Sequence, residues 1–327
     1  MLKINKIHQG DCLDRLQEMD KNSVDLIIID PPYNMIAMDW DKQEIDFKRL
    51  SFELFRVLKD YGSLYIFCQM PIGFKIYNDF VGDFEFRQDL IWAKNRGFSL
   101  AKTVYTRHHE NILFFIKNDK DKWKRFGDYI KERRLKLNYS LKKIGELCEE
   151  VWYHRGGHMY YETGLGKPTK EQYNKLKNVL GFDDRFDKEL FNNHSFNFED
   201  IKLKGEPYKI TREAQKLYGK KSNLGKFTQV NQGKRNPKSI LNYNIIQSGK
   251  EYVGHPTQKP VELLKYLIKA SSNKGDLVLD CFMGSGSTAV ACQQLGRNFI
   301  GIEKEEKYCK ISRERLTQQT LFRGKTK

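Results

Sequence analysis

Between Leu277 and Glu303 the chain reads LVLDCFMGSGSTAVACQQLGRNFIGIE, and no stretch constrains the fold more. An apolar strand over Leu277 to Cys281 runs into a glycine loop. A helix over Ser287 to Leu295 follows, then a second strand over Asn298 to Glu303. The same alternation recurs elsewhere. Lys3 to His8 is a short β-prone run, and VDLIIID (Val24 to Asp30), SLYIFC (Ser63 to Cys68) and NILFFIK (Asn111 to Lys117) are near-continuous apolar strands. Strands of that kind are buried on both faces, as in a parallel sheet. A helix is expected over 42–60, with apolar residues at 47, 50, 54, 55 and 58 on one face. Others are expected over Thr257 to Ser271, with Pro260 in the first turn, and over Glu305 to Gln318. Strand, helix, strand repetition at this spacing predicts an α/β fold with a doubly wound, mostly parallel, Rossmann-like sheet.

The middle of the chain differs in charge. Of the formal +16, residues 118–250 carry +12, from 29 Lys and Arg against 17 Asp and Glu. Residues 201–250 are more extreme, with 12 basic against 2 acidic residues, interleaved with Tyr208, Tyr218, Phe227 and Tyr243. This pattern suits a loop that contacts phosphates and stacks on bases, through Lys202, Lys204, Lys209, Arg212, Lys220, Lys221, Lys234 and Arg235. Composition alone fits a solvated basic linker as well. Short helices are expected within 124–150, joined at Asn138-Tyr139 with Ser140 as N-cap, and another over 170–181 ending on Gly181. Three segments result: 1–117, an inserted 118–250, and 251–327. The opening MLKINKIHQG lacks an apolar signal core, no apolar run is long enough to span a membrane, and the six cysteines form no CxxC pair. A soluble chain in a reducing cytoplasm is expected. Cys148, His154 and His158 lack a fourth ligand at a standard spacing, so no metal is expected.

Two motifs carry chemistry. Asp30-Pro31-Pro32-Tyr33 follows a buried strand. The prolines fix two φ angles, so the Asp30 carboxylate and the Pro31 carbonyl leave the strand as paired acceptors beside an aromatic ring. That set complements a planar ring bearing an exocyclic NH2. The second motif is the loop of Asp280, Phe282, Gly284 and Gly286, with Glu303 closing the next strand 19 residues beyond Gly284, where an acid accepts from ribose hydroxyls. Gly284-x-Gly286-x-x-Ala289 also matches a dinucleotide fingerprint, which keeps a nicotinamide or flavin cofactor in view. Asp280 would repel a pyrophosphate and suit an aminoacyl ammonium, which favours S-adenosyl-L-methionine.

Together DPPY, the FMGSG loop followed by GIE, and HPTQKP at 255–260 resemble the β-type, permuted amino-group DNA methyltransferases. In that family the catalytic motif precedes the target recognition region and the cofactor loop follows it. The resemblance covers 1–117 and 251–327. It implies that the strands Val24 to Asp30 and Leu277 to Cys281 lie side by side at the topological switch point. It also implies that Asp11 meets the adenine edge of the cofactor, that Phe282 and Gly284 line the cofactor cleft, that Glu303 holds the ribose, and that Thr257 and Lys259 lie near the methionine carboxylate. Ile91-Trp92-x-Lys94 and His109-Glu110-Asn111 resemble the segment that leads into the recognition region. Within 124–181, RRLKLNYSLKKIGEL and YYETGLGKPTKEQYNKLKNVLG resemble a phage-repressor helix-turn-helix, with Gly156-Gly157 where a recognition helix would stand.

The implied activity is methyl transfer to the exocyclic amine of a flipped DNA base at a specific sequence. An Asp in the first motif position favours adenine N6 by the same resemblance. Cytosine N4, or an amino group in RNA, presents the same chemistry, and a DNA-binding regulator on a degenerate methyltransferase fold is the alternative of another class. Intact Asp30, Tyr33, Gly284, Gly286 and Glu303 argue against decay. No Pro-Cys pair is present to serve a ring-carbon cytosine methyltransferase. DNA is the expected partner, and the family also admits a cognate restriction endonuclease and a homodimer.

Overall fold

The computed structural model describes residues 2–33, 44–98, 105–117, 122–148, 170–181, 201, 203–204, 208–213, 226–231, 234–235 and 237–323. They divide into two compact units, 1–116 with 195–327, and 117–194.

The larger unit is built on an eight-stranded sheet. In chain order its strands are β1 (Lys6–Gln9), β2 (Val24–Ile29), β3 (Leu58–Cys68), β4 (Glu85–Phe98), β5 (Arg107–Ile116), β10 (Ile240–Asn242), β11 (Leu277–Asp280) and β12 (Asn298–Glu303). Across the sheet the order is β1-β12-β11-β2-β3-β5-β4-β10. Pairing is parallel except at β5, which runs antiparallel to both β3 and β4. The glycine-loop strand β11 lies against β2, with Val278 opposite Leu26 and Leu279 opposite Ile27. From this pair the chain winds one way through β3 and the other through β12. The carboxyl ends of β2 and β11 therefore open a crevice where an open α/β sheet binds its ligands.

Both faces of the sheet are covered, which is why residues 26–29 of β2 and 64–68 of β3 read as unbroken apolar runs. Ile27, Ile29, Leu64 and Ile66 face one core, filled by Leu16 of α1 (Cys12–Gln17), Leu50 and Leu54 of α2 (Phe47–Val57), and Ile76 and Phe80 of α3 (Ile72–Phe80). Leu26, Ile28, Tyr65 and Phe67 face the other. There Leu263, Leu264 and Leu267 of α7 (Val261–Ser271), Val290 and Ala291 of α8 (Ser287–Leu295), and Cys309 of α9 (Glu306–Arg323) pack. Asp25 is buried between strands, where it accepts from Lys59 Nζ at 2.7 Å and from the Leu277 amide at 2.9 Å. It ties the start of β11 to β2.

Several expectations shift. The helix expected over 42–60 ends at Val57, and β3 begins at once on Leu58. Pro260 is the N-cap of α7, one residue outside it. The expected insert boundary at 250 places Ile240–Asn242 outside the sheet, whereas these residues pair with Ile91–Ala93 of β4. Trp92 Nε1 also donates to the Tyr243 carbonyl at 2.8 Å, so the return to the sheet comes before 250. The sequence pattern predicts no element at α1, α3, β4 or β10. Two short antiparallel ladders complete the larger unit, β6 (Leu203–Lys204) with β9 (Lys234–Arg235), and β7 (Tyr208–Glu213) with β8 (Lys226–Asn231).

The smaller unit packs Phe126 and Ile130 of α4 (Lys122–Lys136), Ile144 of α5 (Leu141–Leu147), and Tyr173, Leu176 and Leu180 of α6 (Lys170–Leu180) into its own core. Ser140 caps α5 by accepting from the Lys143 amide, as the sequence predicts, and Gly181 ends α6 with φ +59°. Among the described residues no helix is long and apolar enough to cross a membrane.

Candidate active site

The residue after β2 is Asp30, and two prolines carry the chain away from it. Both carboxylate oxygens are engaged. Tyr33 donates its phenol to Oδ1, and the Lys259 ammonium contacts Oδ2. Sequence reasoning expects Tyr33 as a ring face, and here its hydroxyl also holds the acid. Burial raises the Asp30 pKa and nearby Glu110 adds to the rise, against the pull of Lys259. Burial, then Asp30 and Glu110, raises the Tyr33 pKa, so the phenol keeps its proton and its role as donor. Burial disfavours charge on Lys259, but Asp30 and Glu110 outweigh it and the ammonium is retained.

Behind this trio lies a group that the sequence assigns no chemistry. Glu110 on β5 sits opposite Trp92 of β4 in the register and is buried. Its Oε1 accepts from Lys94 Nζ and, at 3.3 Å, from Gln69 Nε2. Its Oε2 makes no hydrogen bond and lies 3.5 Å from Lys259 Nζ. Lys94 Nζ lies 4.7 Å from the centroid of the Trp92 ring, and Arg107 donates to Gln69 Oε1. Burial pushes the Glu110 carboxyl up, but Lys259 and Lys94 more than reverse this and hold it below its usual value. The signal in the sequence is the pair of segments IWxK and HEN, whose resemblance carries no catalytic role.

The glycine loop leaves β11 at Asp280. Asp280 accepts from the Phe282 amide at 3.0 Å and the Thr288 hydroxyl at 2.6 Å. Burial raises its pKa to about 7, against those two hydrogen bonds. Gly284 has φ +50°, and a Cβ there would stand 3.0 Å from His255 Nε2. Glycine suits this position, because a side chain would combine left-handed backbone with a tight approach to the imidazole. The Gly284 amide donates to Glu303 Oε2 at 2.7 Å and the Glu305 amide to Oε1 at 2.8 Å, which fixes the carboxylate plane while each oxygen keeps a lone pair. Asp11 caps α1 through the Leu13 amide at 2.9 Å, with Lys304 Nζ 3.7 Å from its other oxygen.

A cavity of about 470 Å³ joins these groups. Asp11, Asp30, Pro31, Pro32, Tyr33, Thr257, Lys259, Asp280, Phe282, Gly284 and Glu303 all line it, and Glu110 does so as well. Gly286 does not. A Cβ on it would stand 2.6 Å from Ser312 Cβ, so its missing side chain serves the packing of α9 behind the loop rather than the cavity. The Lys259 ammonium lies on Asp30 and Glu110, and the same residue lines the cavity shared with the glycine loop. Thr257 is held by its amide donating to His255 Nδ1 at 3.3 Å.

The basic residues expected to meet DNA are spread over short strands. Lys204 is on β6, Lys209 and Arg212 on β7, and Lys234 and Arg235 on β9. Lys202, Lys220 and Lys221 lie outside the described residues, as does the stretch of the helix-turn-helix-like segment containing Gly156-Gly157.

Comparison with known proteins gives a consistent answer. Residues 24–314 match the family model N6_N4_Mtase, DNA methylase. The chain is 30% identical over 322 residues to the type II methyltransferase M1.MboII of Moraxella bovis, covering 94% of this chain and 95% of that one. It is 28% identical over 324 residues to the DNA adenine methyltransferase YhdJ of Escherichia coli strain K12, at 95% and 82% coverage. A DNA modification methylase of Thermus thermophilus, solved as a complex with S-adenosyl-L-methionine, aligns with a TM-score of 0.50 at 19% identity over 96% of this chain and 93% of that one. That likeness speaks to the fold.

Proposed function

The chain belongs to the N6_N4_Mtase family of DNA methylases, and from that membership we propose that its cavity moves a methyl group from S-adenosyl-L-methionine to the N6 amine of adenine flipped out of DNA. The residues fit the cofactor. Glu303, held rigid by two backbone amides, offers lone pairs to ribose hydroxyls, and Asp11 offers one to the adenine edge. Asp280 offers a counter-charge to the aminoacyl ammonium. Bound there, the cofactor supplies an electrophilic methyl on a sulfonium centre.

The chain's own residues act on the amine. Its lone pair is delocalised into the ring. Asp30 and the Pro31 carbonyl accept its two hydrogens and favour a pyramidal nitrogen, while Tyr33 stacks on the ring and offsets part of the unstacking cost. Pro32 holds the turn. The nitrogen pair would form the N–C bond as the C–S bond breaks, leaving the neutral thioether S-adenosylhomocysteine, and the surplus proton of the methylated nitrogen would pass to solvent. Positioning and these fixed acceptors supply most of the acceleration. In the same reading the order of motifs is the β-type permutation, residues 124–181 form a helix-turn-helix-like reader, and 201–250 grip phosphates.

The observation that carries the proposal is the Asp30–Tyr33 pair at the carboxyl end of β2, in one cavity with the Glu303-pinned glycine loop. Labelled cofactor incubated with DNA, RNA and protein side by side should label DNA, and mass analysis should find N6-methyladenine. N4-methylcytosine would overturn the choice of adenine, and label in RNA or protein alone would overturn DNA. Asp30→Ala should slow transfer by at least about 100-fold while the affinity for S-adenosylhomocysteine survives. Retained turnover would sink the role given to Asp30.

A further inference from the structure

Asp30 does not face the base position alone. The Lys259 ammonium touches its carboxylate, lies 3.5 Å from Glu110 Oε2, and sits 5.2 Å from the centroid of Phe67. An ammonium carries three hydrogens: one goes to Asp30, and Glu110 faces the same ammonium as an ion-pair partner without a hydrogen bond, which leaves donor capacity for a ligand in the cavity. Glu110 is itself anchored from its other oxygen by Lys94 and Gln69. The lysine is therefore held in place, and it lines the cavity.

An acceptor and a donor in contact form the complement of one particular edge. In adenine and cytosine alike, the carbon that bears the exocyclic amine also bonds a ring nitrogen whose lone pair lies in the ring plane. Amine hydrogen and ring lone pair thus stand side by side, as donor and acceptor. We propose that Lys259 donates a hydrogen bond to that ring nitrogen, adenine N1 or cytosine N3, while Asp30 accepts from the amine beside it. The ion pair then reads the base edge and fixes the amine's orientation, and Glu110 is the positioning residue that keeps the ammonium charged once the base draws on Asp30. A chemical benefit follows. The ring nitrogen's in-plane lone pair is the stronger nucleophile of the two, and a lone pair occupied by Lys259 cannot attack the methyl group.

This inference rests on the amino-group methyltransferase reading, and the test separates the two. Sequencing DNA from a methylation-free host that expresses the full chain locates the modified base. A synthetic duplex then carries at that position either the normal base or its analogue without the ring nitrogen, 1-deazaadenine or 3-deazacytosine. Removing the ring nitrogen enriches the amine in electrons, so slower transfer reports a lost contact rather than weaker chemistry. Single-turnover transfer by the wild type should fall about 10- to 100-fold on the analogue, and Lys259→Met should lose a similar factor on the normal base. Combined, the two changes should cost no more than either alone. Affinity for S-adenosylhomocysteine, read by calorimetry, should be unchanged in Lys259→Met. Lys259→Gln, which keeps a donor, serves if the methionine variant does not fold, and it should retain part of the discrimination. Full-rate transfer to the analogue by the wild type would overturn the proposal, as would losses that multiply, or a loss of cofactor affinity with discrimination intact. If the wild type methylates no DNA base at all, the functional reading fails first.

Discussion

Asp280 answers to two conditions, one without and one with a cation beside it. Burial raises its pKa from 3.8 to about 7, while the Thr288 hydroxyl and Phe282 amide hold it back. Its folded pKa exceeds the unfolded value, so its contribution to stability is full below pH about 4 and is lost as the pH rises through 7. An aminoacyl ammonium alongside would favour the carboxylate and lower that pKa again. Binding then releases a proton, and cofactor affinity should rise between pH about 6 and 8. Asp280→Asn should flatten the rise and should raise Tm relative to wild type at pH 8 in the cofactor-free protein. Calorimetric Kd values across that range check it, and an unchanged slope in the variant would remove Asp280 from the ammonium site. At this scale the sequence was legible where chemistry is local. Asp30 and Tyr33 lie three residues apart, and a glycine loop announces itself by its lack of side chains. The contact between Lys259 and Asp30 is not legible, because the two residues lie 229 apart in the chain. Glu110 is not legible, because the register of β4 and β5 is what brings it to the cavity wall.

Elements were legible in proportion to how completely they are buried. β2 shows all six residues buried, and its sequence says so. β4 carries Glu85, Arg87, Asp89 and Lys94 among its apolar residues and hides its periodicity, and β10 has three residues, too few to show any. α3 lacks a side-chain cap after Pro71, although Ile72, Ile76 and Phe80 have helical spacing. In the smaller unit one helix end depends on another helix. Arg133 of α4 donates from Nε and Nη2 to the Leu180 carbonyl at 3.2 and 3.0 Å, and from Nη2 to the Gly181 carbonyl at 2.6 Å. These carbonyls end α6, where a helix leaves acceptors without partners and carries partial negative charge. Arg133→Ala should cost this unit about 2 kcal/mol. The loss should appear in hydrogen exchange as weakened protection of the α6 amides. Unaltered protection there would mean that Gly181 closes the helix by itself.

Over the whole molecule the charge and the topology make different demands on the same stretch. Residues 201–250 hold 12 basic and 2 acidic residues, yet Ile240–Asn242 within them form a strand of the catalytic sheet, and the Ile245 amide is tied to Asn95 Oδ1. Deleting the stretch to test DNA binding would strip an edge from the sheet, so a loss of binding would report damage as readily as lost contacts. Neutralising charge avoids this. Lys204, Lys209, Arg212, Lys234 and Arg235 stand on strands whose backbone ladders do not need the charge, and replacing all five by Gln should leave the fold's Tm nearly unchanged. Each phosphate contact releases counterions and adds about 0.9 to the slope of log K against log salt. If all five reach phosphates, the slope should become shallower by about 4.5, with the largest loss of affinity at low salt. Duplex binding measured across a salt series, with transfer to bound DNA as a check that the cavity is intact, decides the matter. A slope equal to wild type would mean that the positive excess of this segment is a solvated surface, and that the grip on DNA lies elsewhere in the chain.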